Sequence, residues 1–180
     1  SGCGAPETGG VVSGASTAVS LIGVTRAGTT GYSPEADAVF ATALDAMRDA
    51  GAVLVDPADI PHLGEYDEAE FEVLLFEFKA DLNAYLAGLP PGGGPRTLAE
   101  LIAFNRDHAD RELAFFGQEI FGMAEAKGPL SDAAYRKALR RCRELSRRKG
   151  LDVVFGRHRL DALVAPTGGP PWTTDLVNGD

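Results

Sequence analysis

The sequence contains few cysteines and no long hydrophobic run. Cys3 and Cys142 are the only cysteines in 180 residues, which argues against a disulfide framework and favours free thiols in a reducing compartment. No apolar run approaches the ~20 residues that a membrane-spanning helix needs. The basic-then-apolar start of a secretory signal is also absent, although a chain that begins at Ser1 is compatible with a lost signal peptide. We therefore expect a soluble protein and favour the cytoplasm.

Positive charge is also scarce. The 17 Lys and Arg residues against 26 Asp and Glu residues give a formal net charge of −9, and such a surface repels phosphate groups. We therefore expect neither nucleic acid nor a membrane as a partner. The composition, with 44% hydrophobic and 24% charged residues, is that of an ordinary globular protein and not of a disordered tail.

The first third of the chain carries alternating strand and helix signals. Residues 1–18 are rich in Gly, Ser, Thr and Ala without periodicity, which predicts a flexible lead-in. Ser20–Thr25 and Ala52–Val55 predict strands, since both are short apolar runs of β-formers. Between them Ser33–Gly51 predicts a helix, with serine at the cap, proline in the first helical position and glycine as the stop. Residues 19–57 are thus interpreted as a strand–helix–strand unit with parallel strands.

The middle of the chain, residues 65–150, is predicted to be helical. Thr97 and Glu100 form a capping box that begins one helix, and Ser131 is expected to cap another. The helical spacing of apolar residues predicts the buried faces. The helix before the capping box is expected to bury Phe71, Leu74, Leu75, Phe78, Leu82 and Tyr85, and the one after Ser131 to bury Tyr135, Ala138, Leu139, Cys142 and Leu145.

Several polar patterns have both a functional and a structural interpretation. The Gly28–Gly31 turn could bind phosphate, but it lacks the Walker and dinucleotide patterns, so a plain loop is favoured. The histidines lack the paired spacing of zinc sites, so no metal site is expected. The basic stretch Arg136–Lys149 could bind RNA or anionic lipid; a solvated face that pairs with the acidic helix Glu68–Asp81 is favoured. No G-x-S-x-G turn marks a nucleophilic serine.

The end of the chain, residues 160–180, has the organisation of a ligand-binding loop. Leu160–Ala165 predicts a third strand, and Pro166 begins a loop that contains glycine, proline and the single tryptophan, Trp172. Loops at the carboxyl ends of strands are where α/β folds place their ligands.

This region and three others resemble the amidase-signature hydrolases, especially the peptide-amidase-like branch. The segment Leu160–Trp172 (LDALVAPTGGPPW) carries most of the resemblance. Thr97–Asn105 (TLAELIAFN), Phe116–Glu119 (FGQE) and Leu21–Pro57 agree with it. The resemblance covers about Ser20–Asp180.

The resemblance implies an α/β fold, in which residues 19–180 form part of the large amidase-signature fold around a mixed β-sheet flanked by helices. It also implies a hydrolase that cleaves C–N bonds of carboxylic or peptide amides without metal or cofactor. The family's catalytic lysine, cis-serine and nucleophilic serine cannot be assigned here. The lysines all follow the Gly-rich start, and Ser13–Ser16 does not reproduce the double-serine motif. We therefore expect a C-terminal half fragment that is inactive alone.

The resemblance does suggest a wall of the substrate pocket. Phe116 and Gln118 match the family's FGQ segment, and the loop after the third strand matches at Thr167, Gly168, Pro170 and Trp172. A glutamine could hold a small amide or peptide amide through paired hydrogen bonds, and an indole could cover an apolar face. The alternative is that the aromatic residues are core packing and Thr167 caps a turn.

A second function stays open beside the amidase fragment. A stand-alone, non-catalytic α/β module could bind a small molecule through the Gly28–Gly31 and Thr167–Trp172 loops. A homodimer is compatible with either function.

Overall fold

A computed structural model describes residues 19–90, 92–168 and 171–177. The predicted lead-in, residues 1–18, and the candidate pocket residue Pro170 lie outside the described residues. Cys3 lies there too, while Cys142 is a free thiol.

The strand–helix–strand prediction is confirmed. Strand β1 (Leu21–Val24), helix α1 (Pro34–Asp49) and strand β2 (Val53–Val55) follow one another, and the two strands pair in parallel. The Ser33 hydroxyl accepts a hydrogen bond from the Ala36 amide at 3.2 Å, as an N-cap should. The third strand, β3 (Ala162–Val164), pairs in parallel with the other edge of β1. The described strands thus form a parallel sheet in the order β2-β1-β3.

Helices cover both faces of this sheet. Neighbouring residues of a strand point to opposite faces, and here they join two different apolar clusters. On one face Val24 packs with Phe40 and Leu44 of α1. On the other, Leu160 and Ala58 pack with Val154, which belongs to a helix α7 (Asp152–His158). The α/β class and the helix-flanked sheet expected from the sequence are therefore confirmed.

A layer of helices lies between β2 and β3 in the chain. The order is α2 (Asp67–Ala87), α3 (Leu98–Asp107), α4 (Ala109–Glu112), α5 (Glu119–Glu125) and α6 (Ala133–Cys142). A π-helical segment, Arg143–Leu151, then joins α6 to α7. The centre of the layer is α2, which packs on α6 through Val73, Phe76, Tyr135 and Ala138 and on α3 and α5 through Leu75, Leu98 and Ala124.

The predicted buried stripe of α2 is wrong in most of its members. Phe71, Leu74 and Tyr85 are 40%, 55% and 66% exposed, whereas Val73 and Phe76 are buried. The physical reason is that α2 contacts neighbours on two sides, α6 and the α3–α5 pair, and these define its buried faces. Phe71, Leu74 and Tyr85 belong to neither cluster, whereas Leu75 and Leu82 pack in the cluster with α3 and α5 and Phe78 stacks on Phe121.

Of the two helix caps predicted in the middle of the chain, one is confirmed and the other is wrong. Thr97 caps α3, because its hydroxyl accepts from the Glu100 amide at 3.1 Å. The Glu100 carboxylate accepts from the Arg96 amide at 2.6 Å, one residue before the Thr97 amide that a capping box would use. Ser131, in contrast, does not cap α6: the Asp132 carboxylate accepts from the Ala134 amide at 2.8 Å. Ser131 and Asp132 can both act as helix caps, and it is Asp132 that caps α6.

The basic stretch Arg136–Lys149 does not pair with the acidic side chains of α2 as predicted. The two helices do pack together, but through the apolar residues given above and a hydrogen bond from the Tyr135 hydroxyl to Glu77 at 2.6 Å. The cations of this stretch bond elsewhere: Lys149 to Glu144 at 2.7 Å and Arg141 to the Glu65 carbonyl at 3.2 Å. The interface between α2 and α6 is therefore apolar at its centre.

Candidate functional site

The carboxyl ends of the three parallel strands meet at one edge of the sheet. Thr25, which follows β1, is buried at this edge. Its amide donates to the Val164 carbonyl at 3.0 Å and its hydroxyl to the Ala58 carbonyl at 3.3 Å. The carboxyl ends of β1 and β3 and the segment after β2 are therefore tied together at the position where α/β folds usually hold ligands.

An ion pair that the sequence analysis missed lies at the same edge. The Arg26 guanidinium donates to both carboxylate oxygens of Asp56, at 2.9 and 2.7 Å. The Asp59 carboxylate accepts from the amides of Arg26 and Ala27, at 2.7 and 2.8 Å. The hydrogen bond from Arg26 lowers the pKa of Asp56 below its ordinary value. The signal was available, since Arg26 and Asp56 each follow a predicted strand directly.

This pair predicts a pH dependence of stability. The pKa of Asp56 is lowered in the folded protein. The ion pair therefore contributes fully to the free energy of unfolding above the unfolded aspartate pKa of about 3.9. This contribution is lost as the pH falls through the lower pKa of the folded state. Asp56→Asn should lower the free energy of unfolding by roughly 0.5–1 kcal/mol at pH 7, a value discounted for solvent screening. Urea unfolding should show this difference shrinking as the pH is lowered below about 4.

The control for this prediction is Asp45→Asn. The Asp45 carboxylate also contacts an arginine, Arg48, at 2.6 Å, but 70% of its side chain is exposed. We therefore expect little change at any pH. A loss for Asp56→Asn that stays the same from neutral to acidic pH would contradict the role given to the ion pair.

The loop after β3 contains three of the described candidate residues. Thr167 and Gly168 lie three and four residues after the end of β3 and are exposed. Trp172 is 69% exposed, so its indole is not packed in a core formed by the described residues. These three residues are accessible to a ligand or to another part of a protein.

The other two candidates, Phe116 and Gln118, lie between α4 and α5. Phe116 is 44% exposed. The Gln118 amide donates to the Ile102 carbonyl and accepts from the Asn105 side chain, both at 3.1 Å. One N–H and one lone pair of that amide remain outside these two bonds. The two segments that carried the resemblance here, TLAELIAFN and FGQE, thus contact each other directly.

The structure does not bring all the candidate residues into one cleft. Phe116 and Gln118 line an open cleft of ≈ 660 Å³, together with Asn105 and Ile120. Thr167, Gly168 and Trp172 are not among its described lining residues. The candidate wall therefore consists of two separate surfaces in the described part of the chain.

Two of the described lysines serve structural roles. The Lys79 ammonium donates to the carbonyls of Glu125 and Lys127, at 2.6 and 3.0 Å, and so connects α2 to the end of α5. The Lys127 ammonium lies 2.7 Å from the Glu72 carboxylate. Ammonium groups held in this way tie helices together and are not placed as bases. The serines considered for catalysis, Ser13 and Ser16, lie outside the described residues.

The phosphate interpretation of the Gly28–Gly31 turn is not favoured by its geometry. The Gly31 amide donates to the Asp37 carboxylate at 3.0 Å, and the hydroxyls of Thr29 and Thr30 donate to backbone carbonyls. A carboxylate at the helix start would repel an anion. Within the residues that the structure describes, no three His, Cys, Asp or Glu side chains lie close enough to hold a metal.

No helix in the described part of the chain has the length and apolar character needed to cross a membrane.

Comparison with known proteins gives the same family throughout. The family model described as Amidase matches residues 15–177. A probable amidase of Arabidopsis thaliana is 37% identical over 123 residues, which are 66% of this chain and 23% of the relative. A peptide amidase crystallised with the competitive inhibitor chymostatin is 39% identical, with a TM-score of 0.79 over 89% of this chain and 32% of its own.

The native peptide amidase of Stenotrophomonas maltophilia is 40% identical to the chain. Its TM-score is 0.75 over 85% of this chain and 31% of its own. The chain thus spans about a third of the length of these solved relatives, and less of the plant relative. Because the family match extends over most of the residues, the chain belongs to the amidase family.

Proposed function

We propose that the protein to which this chain belongs hydrolyses C–N bonds of carboxylic amides, with peptide amides as the substrate class. The observation that carries the proposal is the 39–40% identity to two solved peptide amidase structures over 85–89% of the chain, together with the shared fold. A stand-alone binding module is less well supported, because in one of its two proposed binding loops the Gly31 amide already donates a hydrogen bond to Asp37.

Amide hydrolysis needs a nucleophile, a base and donors that stabilise the oxyanion. We propose that the catalytic lysine and two serines are supplied by protein outside these 180 residues, without metal or cofactor. In this division the present chain contributes the wall of the substrate pocket: Phe116, Gln118, Thr167, Gly168, Pro170 and Trp172.

Gln118 is the wall residue whose role the geometry supports best. Its bonds to Ile102 and Asn105 fix the plane and direction of its amide. The remaining N–H and lone pair can then pair with the carbonyl and N–H of a substrate amide without further ordering of the side chain. Phe116, beside it in the same cleft, offers an apolar contact, and Trp172 would cover the substrate from the second surface.

Release of ammonia from a peptide amide is the assay that tests this function. We expect no release by the purified 180-residue chain and release by a longer product of the same reading frame that includes the lysine and both serines. In that longer protein Gln118→Ala should raise KM, since it removes substrate hydrogen bonds. Hydrolysis by the short chain that one serine substitution abolishes would contradict the proposal. The homodimer and the cytoplasmic location stay predictions.

A further inference from the structure

An apolar stripe of α2, exposed except at the buried Leu75 and the partly buried Leu82, has the spacing of a helix-packing seam. Phe71, Leu75, Phe78, Leu82 and Tyr85 follow one another at alternating steps of four and three residues. This alternation is the a/d pattern by which one helix packs along another. Leu74 lies beside the stripe on the same face. We call the set formed by Phe71, Leu74, Phe78, Leu82 and Tyr85, with Ile120 of α5 beside them, the α2 seam.

The α2 seam lines a single preformed groove of ≈ 580 Å³. Its floor is Leu75, which is buried against Leu98 and Ala124. Its wall is held by Phe78, whose ring stacks on Phe121 at 5.4 Å between centroids. Scattered apolar residues are normal on a surface, but a contiguous apolar groove marks a contact site.

The length of the groove indicates what occupies it. From Phe71 to Tyr85 the seam runs along most of α2, or about 21 Å at the helical rise of about 1.5 Å per residue. One side chain of a small amide would fill a fraction of that length. Several turns of an apolar helix would fill all of it.

The charged residues that line the groove restrict the chemistry of the partner that can bind there. Glu77 and Asp81 are the charged residues among its described lining, and both are acidic. A partner with Lys or Arg beside its apolar stripe would be complementary. Two copies of the same surface would instead bring the carboxylates of both copies into one interface, which disfavours a symmetric dimer through this face.

We propose that the α2 seam is the docking surface for an apolar helix, flanked by basic residues, in the remaining part of the amidase fold. That part is the majority of the length of the solved relatives, which this chain does not span. The proposal rests on family membership and on the geometry of α2, and it does not require that the assembled protein hydrolyse amides.

Co-purification tests the proposal without measuring catalysis. The probe is the Stenotrophomonas maltophilia peptide amidase without the region that aligns with this chain, co-expressed with the tagged 180-residue chain. We expect the two to co-purify in equal amounts. Leu74→Lys should reduce the recovered probe roughly tenfold or more, which corresponds to about 1.4 kcal/mol. Leu130→Lys, at an apolar position that is partly exposed but outside the seam, is the matched control and should retain it.

Thermal unfolding of each variant alone shows whether a loss of probe binding comes only from misfolding of the variant. Leu74→Lys should leave the transition of the isolated chain unchanged, because the side chain is already exposed; Phe71→Ala is the second seam variant should the lysine disturb folding. The proposal is overturned if the wild-type chain recovers no probe or if the seam and control variants behave alike. It is also overturned if light scattering shows a dimer that Leu74→Lys dissociates, or if a small apolar amide binds saturably in the groove.

Discussion

Gly23→Val should lower the free energy of unfolding by about 3 kcal/mol, at the upper end of the range for overpacked cores. Gly23 lies in β1, the central strand, with β2 and β3 on either side. A Cβ atom there would stand 2.5 Å from Leu160 Cδ1 and 2.6 Å from Leu163 Cδ2. Both leucines pack in the cluster beneath α7, so their δ-methyl groups must shift against packed neighbours to make room. Glycine is the residue that fits at this position without displacing these side chains.

Gly156→Ala is the matched control for this prediction. Gly156 lies inside α7, and no heavy atom would meet its added Cβ within 4 Å. We therefore expect a gain of about 0.5–1 kcal/mol, because alanine has the higher helix propensity. Urea unfolding of the two variants should shift the midpoint in opposite directions. If Gly23→Val unfolds at the wild-type midpoint, the tight packing of Leu160 and Leu163 on the central strand is incorrect.

Local chemistry explains which elements could be predicted from the sequence. The helix α1 needs only its own residues: Ser33 satisfies a free amide at its start, the following proline fixes the first turn, and Gly51 adopts a φ of +93° at its end. The strands were recognisable because each is a short run of β-formers bounded by turn residues. These signals act within a few residues, so no knowledge of the rest of the fold was required.

The buried face of α2 could not be predicted in this way, because it depends on partners far along the chain. Apolar residues lie on more than one side of this helix, and periodicity alone does not tell which side meets α6. Tyr135, which contacts Phe76, lies on a different helix far along the sequence. The π-helical segment Arg143–Leu151 was missed for a similar reason. Its Gly150 packs against Ile60 and Pro61, and nothing in the local pattern indicates a wider helical turn.

In the candidate site, too, the residue types could be read from the sequence, whereas the contacts between distant residues could not. The residue types at Gln118 and Asn105 were visible as parts of two family-like segments, but their hydrogen bond requires that α3 and the start of α5 lie side by side. The pair between Arg26 and Asp56 was within reach, since the ends of parallel strands meet at one edge. It was missed because it belongs to no recognisable motif: its two charged residues lie 30 positions apart, each directly after a strand.

Phe76→Ala should lower the free energy of unfolding by about 3–5 kcal/mol, the usual cost of deleting a buried aromatic side chain. Phe76 is 3% exposed at the contact between α2 and α6. Its ring lies 5.6 Å from that of Tyr135, and the Lys127 ammonium lies 5.5 Å from its centroid. Truncation therefore leaves a cavity and also removes an aromatic contact and a cation–π contact.

Phe71→Ala makes the same chemical change on the same helix and should cost about 1 kcal/mol or less in the isolated chain. The difference between the two variants in urea unfolding measures which face of α2 is buried, because residue type and helix are held constant. Equal losses would mean that Phe71 is packed within this chain, and the α2 seam would then be unavailable to a partner. A large loss for Phe76 with a small one for Phe71 would place the core on the α6 side. It would also leave the seam as apolar surface that the chain's own stability does not need, which is the property expected of a face that a further part of the fold covers.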